Sequence, residues 1–129
     1  MRSILLVDDD ANTRKSLRDF LTGAGFVVHT AREGQHALHV LDRIEPPDLI
    51  LLDYKMPVMD GKHFLGAMRR IPKLEAIPVV ILSVATREWS GAHLEVDDVL
   101  TKPIDLEHLL LVVNRISANP TSSRYSPAS

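Results

Sequence analysis

Short runs of large aliphatic side chains recur along this chain, and each stops at a polar residue. Residues 4–7 stop at Asp8, residues 49–52 at Asp53 and residues 79–82 at Ser83. Continuous apolar runs of this kind, bounded by turn residues, predict strands buried on both faces, as in a parallel sheet. Residues 26–31 and 99–101 predict two more strands, the second running into Lys102-Pro103. Between the runs the apolar spacing becomes helical. Leu17, Phe20, Leu21 and Ala24 fall at i, i+3, i+4 and i+7, with Asn12 or Thr13 as the expected cap and Gly23 and Gly25 as the stop. Ala37, Leu38, Leu41 and Ile44 mark a helix over 33–44, closed by Pro46-Pro47. Phe64, Leu65, Met68 and Ile71 mark a third over 61–70, and 72–78 reads as a connector. A short helix is expected within 86–94. A last one is expected over 105–117, with Leu106, Leu109, Leu110, Val113 and Ile116 apolar.

Strands alternating with helices predict an α/β fold: a doubly wound, five-stranded parallel sheet of order 2-1-3-4-5, helices on both faces, with right-handed crossovers. At 129 residues the chain is expected to form one domain over 1–117. Residues 118–129 are rich in Ser and Pro with little to bury, which predicts a flexible tail or linker. A net charge of −2 argues against nucleic acid or a membrane surface as partner. The chain has no cysteine, which excludes thiol chemistry and fits a cytoplasmic setting. No apolar run approaches the ~20 residues that span a bilayer, and Met1-Arg2-Ser3 does not read as a targeting segment.

The chemistry collects where the strands end. All carboxyl ends of a parallel sheet lie on one edge, so Asp8, Asp9, Asp53, Ser83 and Lys102 are predicted to converge. A single Asp after a strand is ordinarily a cap or turn former. Several chemically distinct groups at successive strand ends are harder to explain that way. Three carboxylates together repel unless a cation joins them. Mg²⁺ suits them, because it takes oxygen ligands from one or two carboxylates and a phosphate. Lys102 adds a compact positive charge and Ser83 a hydroxyl. Phosphoryl transfer needs mainly in-line positioning and charge stabilisation, and a carboxylate can act as the nucleophile.

At these residues the chain resembles the receiver domain of two-component response regulators. The resemblance covers about 4–117 and rests on Val7-Asp8-Asp9-Asp10, on Asp53-Tyr54-Lys55-Met56-Pro57-Val58-Met59-Asp60-Gly61, on Ser83 and on Lys102-Pro103. It implies a flavodoxin-like fold and a phosphoacceptor role for Asp53, taking its phosphoryl group from a sensor histidine kinase or a histidine phosphotransfer protein. It implies Mg²⁺ bound by Asp9, by Asp53, by the backbone carbonyl of Lys55, and by Asp8 largely through water. It implies that Ser83 and Lys102 contact the phosphoryl group, that the Lys102-Pro103 bond is cis, and that Gly61 permits a tight turn. A downstream effector and a monomer or weak dimer follow from the same likeness. Such a domain is a signalling module rather than an enzyme, promoting only its own phosphorylation and dephosphorylation.

Two departures stand out. Val99 occupies a position, three before Lys102, where the family usually carries Tyr or Phe as half of its switch. The stretch from Ser83 to Lys102 is about three residues short, close to one helical turn, so the fourth helix is expected to be short or irregular. These departures motivate an alternative, a pseudo-receiver that binds a partner without phosphorylation. A flavin carrier or phosphohydrolase of the same topology is weaker, since no glycine-rich phosphate loop follows the first strand. His36 and His39 fall at i, i+3 without an evident third ligand, and His63 opens the third predicted helix. Trp89 is expected to pack locally, and Arg69, Arg70 and Lys73 to form a solvated basic face.

Overall fold

In a computed structural model the described residues are 2–54, 56, 58–84 and 96–118. They form β1 (Ser3–Val7), α1 (Ala11–Gly23), β2 (Val27–Ala31), α2 (Gly34–Leu41), β3 (Leu49–Asp53), α3 (Gly61–Met68), β4 (Val79–Ser83), β5 (Asp98–Thr101) and α4 (Leu106–Ala118). All strand pairs are parallel, in the order β2-β1-β3-β4-β5. The predicted helix within 86–94, Trp89, Lys55 and residues 119–129 lie outside the described residues.

The strands alternate their side chains between two cores, which is why the central runs are apolar throughout. Ile4, Leu6, Leu49, Leu51, Val80 and Leu82 face α1 and α4, where Leu17, Leu21, Leu109 and Val113 meet them. Leu5, Val7, Ile50, Leu52, Val79 and Ile81 face α2 and α3, meeting Ala37, Leu41, Phe64 and Met68. Every residue of β3 and β4 is buried. At ~25 cal/mol per Å² of apolar surface, each such Leu or Ile contributes roughly 1.5–3 kcal/mol, so both faces must stay covered for the sheet to stand.

Several element ends differ from the expectation. Asp10, not Asn12 or Thr13, caps α1; it accepts the Asn12 N–H at 3.1 Å and the Thr13 hydroxyl at 2.7 Å. A carboxylate at that position takes one of the orphan donors of the first turn and favours the positive end of the helix dipole. The second helix stops at Leu41 rather than 44, and Glu33 is its cap, accepting from Gln35 and His36. Ile44 still packs on the core after the backbone has left the helix, so the apolar period outlasts the helix itself. The third helix is capped by Asp60 and ends at Met68 rather than 70. Arg69 is not simply solvated: its guanidinium donates to the Glu75 and Ile77 carbonyls, bracing the connector that leads into β4.

Asp60 accepts the His63 N–H at 3.0 Å, the cap bond of α3. Asp60→Ala is therefore expected to cost about 1 kcal/mol, read as a lower urea midpoint. An unchanged midpoint would mean that α3 gains nothing from this cap.

Candidate functional site

Four strand ends deliver the site. β1 runs into Asp8 and Asp9, β3 ends on Asp53, β4 ends on Ser83, and Lys102 follows β5. The register carries them to one level, with Asp53 opposite Leu82 and Ser83 opposite Thr101. Asp8 is fully buried, Asp53 is 4% exposed and Ser83 is buried, while Asp9 is exposed.

One carboxylate oxygen from each of Asp8, Asp9 and Asp53 lies within 4.8 Å of the others, a grouping that offers a metal ion three anionic oxygens. Lys102 closes the other side, its Nζ 3.2 Å from Asp8 Oδ2 and 3.4 Å from Asp53 Oδ1. Asp8 is held from several directions. The Asp10 N–H donates to its Oδ1 at 2.9 Å, Lys102 to its Oδ2, and Arg14 to its backbone carbonyl at 2.7 Å. The β5–α4 junction includes a cis Lys102-Pro103 peptide bond. The Lys102 N–H donates to the Ser83 carbonyl at 2.7 Å, tying the β4 and β5 ends together.

Charge in this cluster does not balance. Burial pushes the Asp53 pKa up from 3.8 to about 7, and the Asp8 charge adds to that while Lys102 opposes it. Burial also works against the Lys102 ammonium, but Asp53 and Asp8 outweigh it and raise its pKa. Among the described residues one lysine stands against three acids, and a divalent cation bound by those acids would supply the missing positive charge. The donor set, hard carboxylate oxygens, fits Mg²⁺ or a similar ion.

The turn after Asp53 returns sharply. The Gly61 N–H donates to the Tyr54 carbonyl at 2.8 Å, and a Cβ on Gly61 would lie 3.0 Å from Tyr54 Cα and 3.1 Å from the Asp53 carbonyl oxygen. A glycine lets the start of α3 approach that closely.

This arrangement matches a known family. The chain matches the response regulator receiver domain over residues 4–114. The chain belongs to that family. It is 38% identical over 115 residues to an uncharacterised 14.6 kDa protein from the sodA1 3′ region of Leptolyngbya boryana, with 87% of each covered. It is 35% identical over 132 residues to a probable transcriptional regulator, ycf27, of Cyanophora paradoxa, covering 97% of this chain but 53% of that protein. The chain thus spans about half the length of that regulator. Its fold is similar to chemotaxis response regulator CheY4 of Vibrio cholerae, at a TM-score of 0.80 and 30% identity over 90% of this chain and 98% of that one.

Within this receiver, Asp8, Asp9, Asp53, Ser83 and Lys102 sit at one edge of the sheet, while Lys55 lies outside the described residues. His36 and His39 join no metal-competent group among the described residues; the His36 Nδ1 accepts the Arg32 N–H at 3.1 Å. His63 is engaged with its own cap, its Nδ1 lying 2.7 Å from Asp60 Oδ1. Arg14 was not anticipated. Its one legible signal is its place four residues after Asp10, one turn into α1, where a long cation can fold back over the end of β1. Val99 is half-buried opposite Ile81 and packs against the α2–α3 core. Among the described residues no helix is long and apolar enough to cross a membrane.

Proposed function

We propose that this receiver accepts a phosphoryl group on Asp53 from a phosphohistidine of a sensor kinase or phosphotransfer protein, and that the change alters its contacts with an effector. The observation that carries the reading is the joint placement of Asp53 between two acids and Lys102. In the transfer, an Asp53 carboxylate oxygen attacks phosphorus, the bond from the donor's imidazole nitrogen to phosphorus breaks, and that electron pair stays on the imidazole. Asp53 is 4% exposed, so the donor must come to it from the open side of the edge rather than through the core. Lys102 would sit against the phosphoryl oxygens and stabilise their charge, and the Ser83 hydroxyl would donate to one of them. Asp8, Asp9 and Asp53, with the Lys55 carbonyl, would hold Mg²⁺, which supplies the positive charge that phosphoryl transfer demands.

The partner would meet the open edge beside Lys102. A cleft of about 600 Å³ opens there between α1 and the β5–α4 junction, with Thr13, Ser16, Val84 and Ile104 in its lining. In this reading the receiver spans 1–117, works in the cytoplasm as a monomer or weak dimer, and passes its signal to a downstream effector domain or protein.

The test uses the whole chain with Mg²⁺ and a small acyl phosphate. One base-labile phosphoryl adduct per chain is expected, on the peptide that contains Asp53. An adduct mapped elsewhere, or none, would overturn the proposal. The second reading, a module that works without phosphorylation, draws support from Val99, a side chain too small for the usual aromatic swing. It predicts that a saturating phosphoryl mimic leaves partner binding unchanged.

A further inference from the structure

Between Asp53 and α3 the backbone passes through a conformation that L residues avoid. Val58 has φ +64°, the only positive φ at a non-glycine residue among those described. A β-branched residue is a particular outlier there, disfavoured by roughly 10- to 100-fold relative to a relaxed backbone. Its own packing does not account for this, since Val58 is 81% exposed.

The next residue does. The Met59 carbonyl accepts the Gly34 N–H at 3.0 Å, and Gly34 is the first residue of α2. A Cβ on Gly34 would fall 2.7 Å from that same oxygen and 2.7 Å from Met59 Cγ, so the contact exists only because the residue is glycine. The Met59 side chain packs on the core beneath α2. The loop is tied at its far end by the Gly61–Tyr54 bond and the Asp60 cap. Val58 lies between these ties, twisted so that Met59 can reach Gly34.

We propose that Val58–Met59 is a strained latch on α2, closed in the unphosphorylated chain and opened when Asp53 carries a phosphoryl group. The first turn of α2 then reports the state of Asp53. The inference rests on the phosphoacceptor reading above. A phosphoryl group on Asp53 needs room beside that carboxylate, where Lys102 already bridges Asp8 and Asp53. β1, β4 and β5 are held by the sheet and cannot yield cheaply. Among the described residues, the loop that starts at Tyr54 meets α2 through the Gly34–Met59 hydrogen bond, and Tyr54, Met56 and Met59 pack on the core beneath it. A single hydrogen bond favours the closed form by roughly 10-fold, the same order as the bias of Val58 toward release. The strain at Val58 opposes that tie, so a differential interaction at Asp53 can shift the balance between closed and open. On release the Gly34 N–H loses its partner, at the corner where Glu33 caps the helix and His36 accepts from Arg32.

The test is amide hydrogen exchange followed by NMR on the whole chain, with Mg²⁺ and beryllofluoride as the phosphoryl mimic. Exchange of the Gly34 amide is expected to accelerate by ~10-fold or more when the mimic binds. The Val58→Gly protein, relieved of strain, is expected to show slower Gly34 exchange without the mimic and a smaller acceleration with it. If Ser83 and Lys102 signals shift while Gly34 exchange stays unchanged, the latch is wrong and the phosphoacceptor reading stands. If no signal in the site responds, both fall. If Val58→Gly speeds Gly34 exchange without the mimic, strain does not oppose the closed form and the latch is wrong.

Discussion

Lys102→Ala is expected to slow phosphoryl uptake from a small acyl phosphate by on the order of 10²- to 10³-fold at equal Mg²⁺. Lys102 is the cation that touches both Asp8 and Asp53, at 3.2 and 3.4 Å. As the donor's bond to phosphorus breaks and the Asp53 bond forms, charge spreads over the equatorial oxygens, and a preorganised ammonium in a buried edge stabilises it far better than water would. Lys102→Arg keeps the charge but replaces a point donor by a wide planar fork, and is expected to recover only part of the rate. Asp53→Asn supplies the blank, with no adduct at all. The measurement is the initial rate of base-labile labelling, with circular dichroism to check that each variant is folded. A folded Lys102→Ala protein that labels within ~3-fold of the parent would remove Lys102 from the transfer step.

The strands and the convergence of their polar ends on one edge could be read from the residues alone for a physical reason. β3 and β4 are buried along their whole length, so nearly every position is a large aliphatic, and the first polar residue marks the edge. Because all the strands run the same way, those first polar residues had to meet. What could not be read was set by local competition or by partners distant in the chain. Asp10, Asn12 and Thr13 are all good caps, and Asp10 wins because it takes both an N–H and the Thr13 hydroxyl. Ile44 keeps the helical period of α2 while lying beyond its end, so periodicity overstated the helix. The Arg69 brace and the Arg14 bond to the Asp8 carbonyl leave no mark in hydrophobic patterning, since either residue would pass for a solvated charge.

The same holds for backbone strain and for charge balance. Nothing in Met56-Pro57-Val58-Met59 announces a left-handed valine. That conformation is imposed by Gly34, which sits on a helix well back in the chain. Sequence placed three acids and a lysine together, but not the extent to which burial would tip Asp53 toward its neutral form. The chemistry of the edge and its readout are thus separable. The first depends on side chains at strand ends, the second on how one loop is seated against α2.

Without divalent metal, Asp53 is expected to cost the fold on the order of 2 kcal/mol at pH 8 and almost nothing near pH 4. Its pKa is raised from 3.8 to about 7 in the folded chain, first by burial and then by the Asp8 charge. The folded state therefore holds this proton more tightly than the unfolded state does. The stability it confers is fully present below about 4 and is lost as pH rises through about 7. At ~1.4 kcal/mol for each pH unit the displacement sets an upper bound, and solvent at the open edge screens the charge down to the smaller figure. Asp53→Asn removes the charge at nearly constant shape. In a metal chelator at pH 8 its urea midpoint should exceed that of the parent by this margin, and at pH 4 the two should coincide. Comparing parent and variant at each pH cancels the titration of carboxylates remote from this cluster. Adding Mg²⁺ at pH 8 should close the gap from the parent's side, because an ion that binds only the folded state stabilises it by mass action. A gap that stays constant from pH 4 to pH 8 would mean that burial and Asp8 do not hold Asp53 near neutrality.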